Sequence, residues 1–250
     1  MIPGLAFAGS GGGAGASGGA GSGPQSSPSV PVSNGNVPVS ASSDGITVTS
    51  EASAFMRGGV SVTGMVPGSD GDDTVEIDQL GSGSSATWTP VADTTASSNG
   101  TFSATWHPAR PGQVTIRAEI QGSQASSAAA APTVSVTLYR RSTATLYGPG
   151  FYGHRTACGR ILRRNTIGVA NRTLKCGTPV QIYYKGQVIT VPVIDRGPYA
   201  HGANWDLTMA TGRTIGMLET EVIGAAPVPS AAPAGSATAA TPSPQTRGAQ

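Results

Sequence analysis

Two carboxylates set eleven residues apart dominate the chemistry of this sequence. Asp195 follows an apolar run and begins the block DRGP, and Asp206 stands at the centre of the block WDL. A carboxyl group placed at a reacting bond can donate a proton and take one back. The stretch 191–207 also carries Tyr199 and Trp205, whose rings could contact a sugar. This stretch therefore predicts an acid/base site.

Each acid also has a simpler interpretation. Asp195 could organise its loop by accepting hydrogen bonds from the backbone of Arg196 and Gly197. Asp206 could likewise be structural. If Asp206 is desolvated beside Trp205, however, its pKa rises, and it becomes able to donate a proton near neutral pH.

The charge is distributed unevenly along the chain. The 250 residues carry a net charge of +2, yet residues 44–139 hold nine acids and three Arg, a net of −6. Residues 140–223 hold nine Arg, two Lys and four acids, a net of +7. This asymmetry indicates two modules, and the basic one favours an anionic partner. A wall polymer fits better than a nucleic acid, because no nucleic-acid-binding motif is present.

The two cysteines, Cys158 and Cys176, predict one disulfide in an oxidising compartment, with two buried thiols as the alternative. No His, Cys or carboxylate spacing fits a metal site, because the two Cys are single residues rather than a Cys-x-x-Cys pair. No cofactor is expected. No apolar stretch is long enough for a transmembrane helix. Ala6-Phe7-Ala8 resembles the end of a signal peptide, so we expect a secreted protein. Together with the preference of the basic module for a wall polymer, this predicts association with the cell wall.

Four segments follow from the patterning. Residues 1–43 and 225–250 are rich in Gly, Ala, Ser and Pro, and are predicted to be a disordered leader and tail. Residues 44–139 contain seven short alternating runs, which predict an Ig-like antiparallel β-sandwich. Asn99-Gly100 predicts a hairpin turn there. Residues 142–224 contain short strands around one short helix, which predict a small β-barrel. The predicted fold class is thus all-β.

Four sequence blocks in the basic module stand in a fixed order. They are YGPGFYG at 147–153, TACG at 156–159, LKCGT at 174–178, and IDRGP at 194–198 with WDL at 205–207. Together they resemble the double-psi β-barrel of the RlpA-like (rare lipoprotein A) family, which is related to barwin and the expansins. The resemblance covers about a third of the chain. It implies a six-stranded barrel with an open glycan groove, and an enzyme that cuts peptidoglycan strands lacking stem peptides.

The resemblance assigns roles to three positions. The acid of the family's DRGP block falls on Asp195, and the important acid of expansin-like relatives falls on Asp206. The family's other proposed catalytic acid is a Glu directly after TACG, where this chain has Arg160. Arginine keeps its proton at neutral pH and cannot act as a general acid. An ion pair between Asp195 and Arg160 would weaken Asp195 as an acid.

Two hypotheses remain open from the sequence. The first is a lytic transglycosylase that uses Asp195 and Asp206. The second is a wall-binding or wall-loosening module that has lost catalysis with the family's Glu. In both, peptidoglycan strands are the expected partner, anionic wall polymers are a second partner, and the protein is expected to be a monomer. The residues predicted to contact glycan are Tyr147, Phe151, Tyr152, His154, Thr156, Arg160, Arg196, Tyr199 and Trp205.

Overall fold

The computed structural model describes residues 30–68, 71–81, 86–122, 131–199 and 202–230. The described residues form fifteen strands and one short helix. In chain order these are β1 (Val32–Asn34), β2 (Pro38–Ser43), β3 (Ile46–Glu51), β4 (Ser53–Phe55), β5 (Val60–Met65), β6 (Thr74–Leu80), β7 (Trp88–Thr95), β8 (Thr101–Trp106), β9 (Gly112–Ile120), β10 (Thr133–Tyr147), β11 (Val169–Ala170), β12 (Pro179–Tyr184), β13 (Gln187–Asp195), β14 (Trp205–Thr208), α1 (Met209–Thr214) and β15 (Glu221–Pro227).

The N-terminal half is built from two packed sheets. One sheet has the order β2-β3-β5-β8, and the other runs β7-β6-β9-β10, with β4 pairing on β10. Alternate side chains of both sheets point inward to a shared core that includes Val48, Val62, Ile77, Ile116 and Val136. Burying one apolar face of each sheet against the other is what stabilises such a pair of layers.

The C-terminal half is a closed six-stranded barrel. Its strands follow the order β14-β11-β13-β12-β15-β10, and a parallel pairing of β10 with β14 closes the ring. The interior is apolar and contains Val169, Ile182, Val193, Leu207 and Ile223. Closure leaves no unpaired sheet edge in the ring. The predicted all-β fold with a six-stranded barrel is therefore confirmed.

One strand, β10, belongs to both halves. Its 15 residues pair with β9 over Thr133–Leu138, and with β15 over Arg140–Ala144. The chain thus passes from one domain to the other without leaving the sheet. β1 adds to this connection, because Val32–Asn34 pairs with the barrel strand β13.

All seven alternating runs predicted in the sandwich lie in or overlap strands β3 and β5–β10. Two predictions there need correction. β1 and β2 lie before residue 44, so ordered structure begins within the predicted leader. Asn99-Gly100 does form a turn, but it joins strands of different sheets, because β8 pairs with β5 and β7 with β6. The Ig-like assignment itself stays a prediction.

Toward the C-terminus, β12 and β13 form an antiparallel hairpin, and the predicted short helix is present as α1. β15 extends to Pro227, which lies beyond the predicted start of the tail at residue 225. The rest of the predicted leader, residues 1–29, and of the tail, residues 231–250, lie outside the described residues. Within the described part of the chain, no helix is long and apolar enough to span a membrane.

Candidate active site

A row of four side chains crosses the outer face of the barrel. Asp195 ends β13 and pairs with Ala170 on β11, Ala170 pairs with Asp206 on β14, and Asp206 pairs with Thr145 on β10. Residues paired across neighbouring strands project to the same face, and a register shift in the β11–β13 pair places Asp195, rather than Ile194, opposite Ala170. Two strand spacings place the α-carbons of the two acids about 10 Å apart. The small side chain of Ala170 lies between them and is itself buried, so the two acids share one face of the barrel with one strand between them.

Asp206 is the more perturbed of the two acids. Burial raises the pKa of its carboxyl group from 3.8 to about 6, and the nearby charge of Asp195 adds to the rise. A hydrogen bond of 2.9 Å from the Thr145 hydroxyl to Oδ1 of Asp206 opposes this rise. The group can therefore hold a proton near neutral pH and release it there, as a general acid and base must.

Asp195 holds the loop in front of it. Its Oδ1 accepts hydrogen bonds from the backbone N–H of Ala157 and of Arg196, both at 2.8 Å. The bond to Ala157 ties the strand end to a loop 38 residues earlier in the chain. Asp195 thus has the loop-organising role considered from the sequence, because it accepts a hydrogen bond from the Arg196 backbone. The carboxylate of Asp195 also lies on the face that carries Asp206.

The loop that Asp195 holds is closed by the predicted disulfide. Cys158 and Cys176 are bonded to each other, with α-carbons 5.6 Å apart, which confirms the pairing. Inside the loop, the Thr156 N–H donates to the Arg160 carbonyl at 2.7 Å, and the Arg160 N–H donates to the Thr156 hydroxyl at 3.2 Å. Thr156 is buried by these contacts, so it shapes the loop.

Arg160 makes no ion pair with Asp195. The three ion pairs among the described residues join Arg117 to Asp78, Arg117 to Glu119, and Lys185 to Glu221. Arg160 instead lines a separate cleft with Arg163, Ile167 and Pro192. The ion pair considered from the sequence is therefore absent, and Arg160 does not neutralise Asp195.

Tyr147 forms part of the floor beneath the acids. It is 9% exposed and packs with Leu162, Ala170 and Ile194 in a small cluster that also touches Tyr152. Its hydroxyl is buried and has no hydrogen-bond partner among the described residues. Burial, followed by the charges of Asp195 and Asp206, raises the pKa of this hydroxyl well above its usual range. Tyr147 therefore remains a neutral O–H donor close to both acids.

The other aromatic candidates divide by exposure. Phe151 is 60% exposed and Tyr199 is 79% exposed, so both rings are available to stack on a sugar. Tyr152 is half-buried, and its ring is covered by Arg164 at 5.5 Å. Trp205 is 7% exposed and belongs to the barrel core, on the face opposite to Asp206. The burial of Asp206 therefore comes from neighbouring strands rather than from the Trp205 ring.

The remaining predicted contacts lie around the loop. His154 is exposed and contributes only backbone hydrogen bonds, to Phe151 and Leu162. Arg196 donates to the carbonyl oxygen of Asn171 at 3.3 Å and to the sulfur of Cys176 at 3.4 Å, so it braces the disulfide. Thr145 is a site residue that sequence reasoning missed. Its contact with Asp206 depends on a pairing between residues 61 apart, which no local pattern reveals.

The barrel is similar to known proteins. Residues 139–229 match a protein family described as "Lytic transglycolase". This part of the chain is an RlpA-like double-psi β-barrel. The match begins inside β10 and ends just after β15, so it contains the whole barrel and both acids.

Three bacterial relatives show how far the similarity extends. A Synechocystis protein named "Probable endolytic peptidoglycan transglycosylase RlpA" is 36% identical over 106 residues, which are 42% of this chain and 32% of that protein. An Aquifex aeolicus protein of the same name is 36% identical over 87 residues, 34% of this chain and 38% of its own. The Campylobacter jejuni "Endolytic peptidoglycan transglycosylase RlpA" is 33% identical over 87 residues, 34% of this chain and 30% of its own. The chain thus spans about a third of the length of these relatives.

Proposed function

We propose that the RlpA-like barrel is a peptidoglycan lytic transglycosylase domain, in which Asp206 is the general acid and base. One observation carries the proposal. Asp206 has a pKa raised to about 6 and lies on the same face of the barrel as Asp195. The names of the relatives, all endolytic peptidoglycan transglycosylases, support glycan as the substrate.

The reaction needs one proton carrier. Protonated Asp206 donates its proton to the glycosidic oxygen as the bond from that oxygen to the muramyl C1 breaks. The 6-hydroxyl of the same muramyl residue then forms a bond to C1 and gives its proton to the Asp206 carboxylate. The products are an anhydro-muramyl end and a free 4-hydroxyl, and the enzyme regains its starting state without consuming water.

Asp195 supplies charge and position rather than the travelling proton. Its carboxylate lies on the same face as Asp206, where we propose that an oxocarbenium-like centre develops, and a negative charge there stabilises that centre. Its bond to the Ala157 N–H also fixes the disulfide loop beside the acids. Phe151 and Tyr199 are the exposed rings that we propose stack on the strand.

A non-catalytic glycan-binding domain is the second candidate. The observation that favours it is Arg160, at the position where the resemblance implies a catalytic Glu. Since Arg160 lies on another cleft and does not pair with Asp195, its presence leaves the Asp206 mechanism intact. We therefore favour glycan cleavage over non-catalytic binding as the function of the barrel. A protein that acts on peptidoglycan works outside the cytoplasm, and we propose that location for this chain.

The deciding experiment incubates the purified chain with peptide-stripped glycan strands and detects anhydro-muramyl ends by mass spectrometry. We expect such products from the wild type and none from Asp206→Asn. Asp93→Asn, an exposed change in the sandwich, is the matched control and should retain full activity. If the wild type yields no anhydro products but still sediments with the glycan, the domain binds without cutting and the second candidate holds.

A further inference from the structure

We propose that a cleft at the junction of the sandwich and the barrel binds the carboxylate groups of the glycan strand. We call it the junction cleft. Its walls come from the sandwich, the shared strand β10 and the loops beside the two acids, and include Pro111, Arg140, Asn171, Arg172, Asn204 and Trp205. The inference rests on the proposed function for the choice of glycan as ligand.

The junction cleft depends on the two domains being joined. β10 passes directly from sandwich pairs to barrel pairs at Arg140. Next to Pro111, a β-carbon built on Gly112 would lie 3.6 Å from the carbonyl oxygen of Pro227, so the start of β9 abuts the end of β15. Phe55, Tyr139 and Tyr183 also pack together across the junction, with ring centroids 5.3 to 5.9 Å apart. These contacts hold the walls of the cleft in place.

Two guanidinium groups give the junction cleft its charge. Arg140 and Arg172 both line it, both are exposed, and neither takes part in an ion pair among the described residues. None of the described residues that line this cleft is acidic. Arg172 donates one hydrogen bond to the Ala203 carbonyl, which fixes the direction of its planar group. A guanidinium held in this way suits a carboxylate, which can accept two parallel N–H bonds.

Neutral groups around the two arginines suit a sugar. The side-chain oxygen of Asn171 accepts hydrogen bonds from the N–H groups of Thr173 and Leu174, which leaves its amide nitrogen as a donor. Asn204 is exposed, and Trp205 contributes an apolar edge. A few polar groups set among apolar ones are typical of a site that binds a small polar ligand.

The junction cleft lies next to both acids along the backbone. Asn171 follows Ala170, and its N–H donates to the Asp195 carbonyl at 3.2 Å. Trp205 directly precedes Asp206 in β14. In this proposal, a glycan strand held at the acids continues into this cleft. In a strand without stem peptides, each muramyl residue carries a free lactyl carboxylate, and this is the anionic group that we assign to Arg140 and Arg172.

The test measures binding alone, in a full chain carrying Asp206→Asn so that no cleavage occurs. Peptide-stripped glycan fragments are titrated against this parent and against the same chain carrying Arg140→Gln and Arg172→Gln. Losing charge-assisted hydrogen bonds should weaken binding about tenfold or more. Converting the glycan carboxylates to amides should weaken binding to the parent equally and should not weaken binding to the arginine variant further.

Arg141→Gln is the control, because it removes the same charge from the next residue of β10, whose side chain lies over Phe55 instead. It should bind like the parent. The inference is overturned if the arginine variant binds normally, if Arg141→Gln weakens binding as much, if amidated glycan binds the parent equally well, or if inorganic phosphate displaces the glycan better than acetate does. Failure of the wild type to cut glycan would remove the proposed activity but would leave this binding result standing.

Discussion

Asp206 takes its chemical character from residues that are distant in sequence. Its partners on either side are Ala170, 36 residues earlier, and Thr145, 61 residues earlier. The strands beside it remove water from the carboxyl group, which favours the neutral form. The Thr145 hydroxyl donates a hydrogen bond that favours the charged form. The balance places its pKa at about 6, where both forms are populated near neutral pH.

The first prediction concerns the pH dependence of cleavage. If protonated Asp206 starts the reaction, the rate should fall about tenfold per pH unit once the pH exceeds about 6. Initial rates of anhydro-product formation, measured between about pH 4 and pH 8, check this. A rate that stays level up to about pH 8 would show that another group supplies the proton.

The second prediction concerns stability. Unfolding exposes Asp206 and returns its pKa to about 3.8, below its folded value of about 6. Between these values the folded state binds more protons, so its stability falls as pH rises, and the loss is complete above about 6. Asp206→Asn removes this loss. Between about pH 4 and pH 7, the free energy of unfolding of the variant should therefore rise by about 1 kcal/mol relative to that of the wild type. This value is reduced because the Asp206 carboxyl group is partly exposed to solvent. Urea unfolding at both pH values measures the difference, and an unchanged gap would contradict the burial of this carboxyl group.

The third prediction tests whether Thr145 acts through its hydrogen bond to Asp206 rather than through packing alone. Thr145→Val keeps the shape of the side chain but removes the hydrogen bond that lowers the pKa of Asp206. The midpoint of the pH–rate profile should therefore move upward. Thr143→Val, two residues earlier on the same strand, makes the same chemical change without touching Asp206 and should leave the midpoint in place. A midpoint that stays fixed or moves downward in Thr145→Val would exclude this role.

Among the structural elements, the disulfide loop between Cys158 and Cys176 is held in place by more than its hydrogen bond to Asp195. The Cys158–Cys176 bond closes it, Asp195 accepts from Ala157 within it, and Arg196 donates to Cys176 at its far end. These three links attach the loop to the end of β13. The edge of the site thus depends on cross-links between elements as well as on the barrel.

The fourth prediction tests that dependence. Replacing both Cys158 and Cys176 by Ser removes a cross-link between residues 18 apart, which should cost about 3 kcal/mol of unfolding free energy. The Ala157 amide should also exchange with solvent faster, because the loop that presents it to Asp195 is no longer closed. Amide exchange and urea unfolding of the variant measure both effects. Unchanged protection of Ala157 would show that the Asp195 bond holds the loop without the disulfide.

The sequence predicted some of these elements and missed others, depending on whether the element has one buried and one exposed face. Strands with strict alternation, such as β8 and β12, were predicted because one face is buried and the other exposed. β14 has only four residues, three of them buried, so it carries no alternating pattern. Asp195 and Asp206 were found from residue type and spacing. Their shared face and the role of Thr145 were not found, because pairing between strands that are distant in sequence leaves no local signal.

At the scale of the whole molecule, the boundary between the domains is a strand rather than a linker. The sequence predicted separate units ending at residue 139 and starting at residue 142. β10 instead continues through both, with Leu138, Tyr139, Ser142 and Ala144 buried. Buried positions stand on both sides of the exposed pair Arg140 and Arg141, because the strand packs into the sandwich before this pair and into the barrel after it. The sandwich is therefore fixed in direction relative to the acids, which a flexible spacer would not be.

The last prediction follows from this continuity. Since β10 pairs with both domains and Tyr139 packs against Phe55 and Tyr183, the two halves should unfold in one calorimetric transition. Inserting Gly-Ser-Gly-Ser after Arg140 breaks the strand at the junction and should split unfolding into two transitions. The unfolding temperature of the barrel should fall by roughly 4–8 °C for each kcal/mol of unfolding free energy that the lost contacts had contributed. The same insertion after Gly68, in an exposed turn, should leave one transition. Two transitions in the unmodified chain would mean that the shared strand does not couple the domains. If a single transition is seen, the junction is a rigid part of the molecule, and the sandwich orients the glycan-binding face instead of merely carrying it.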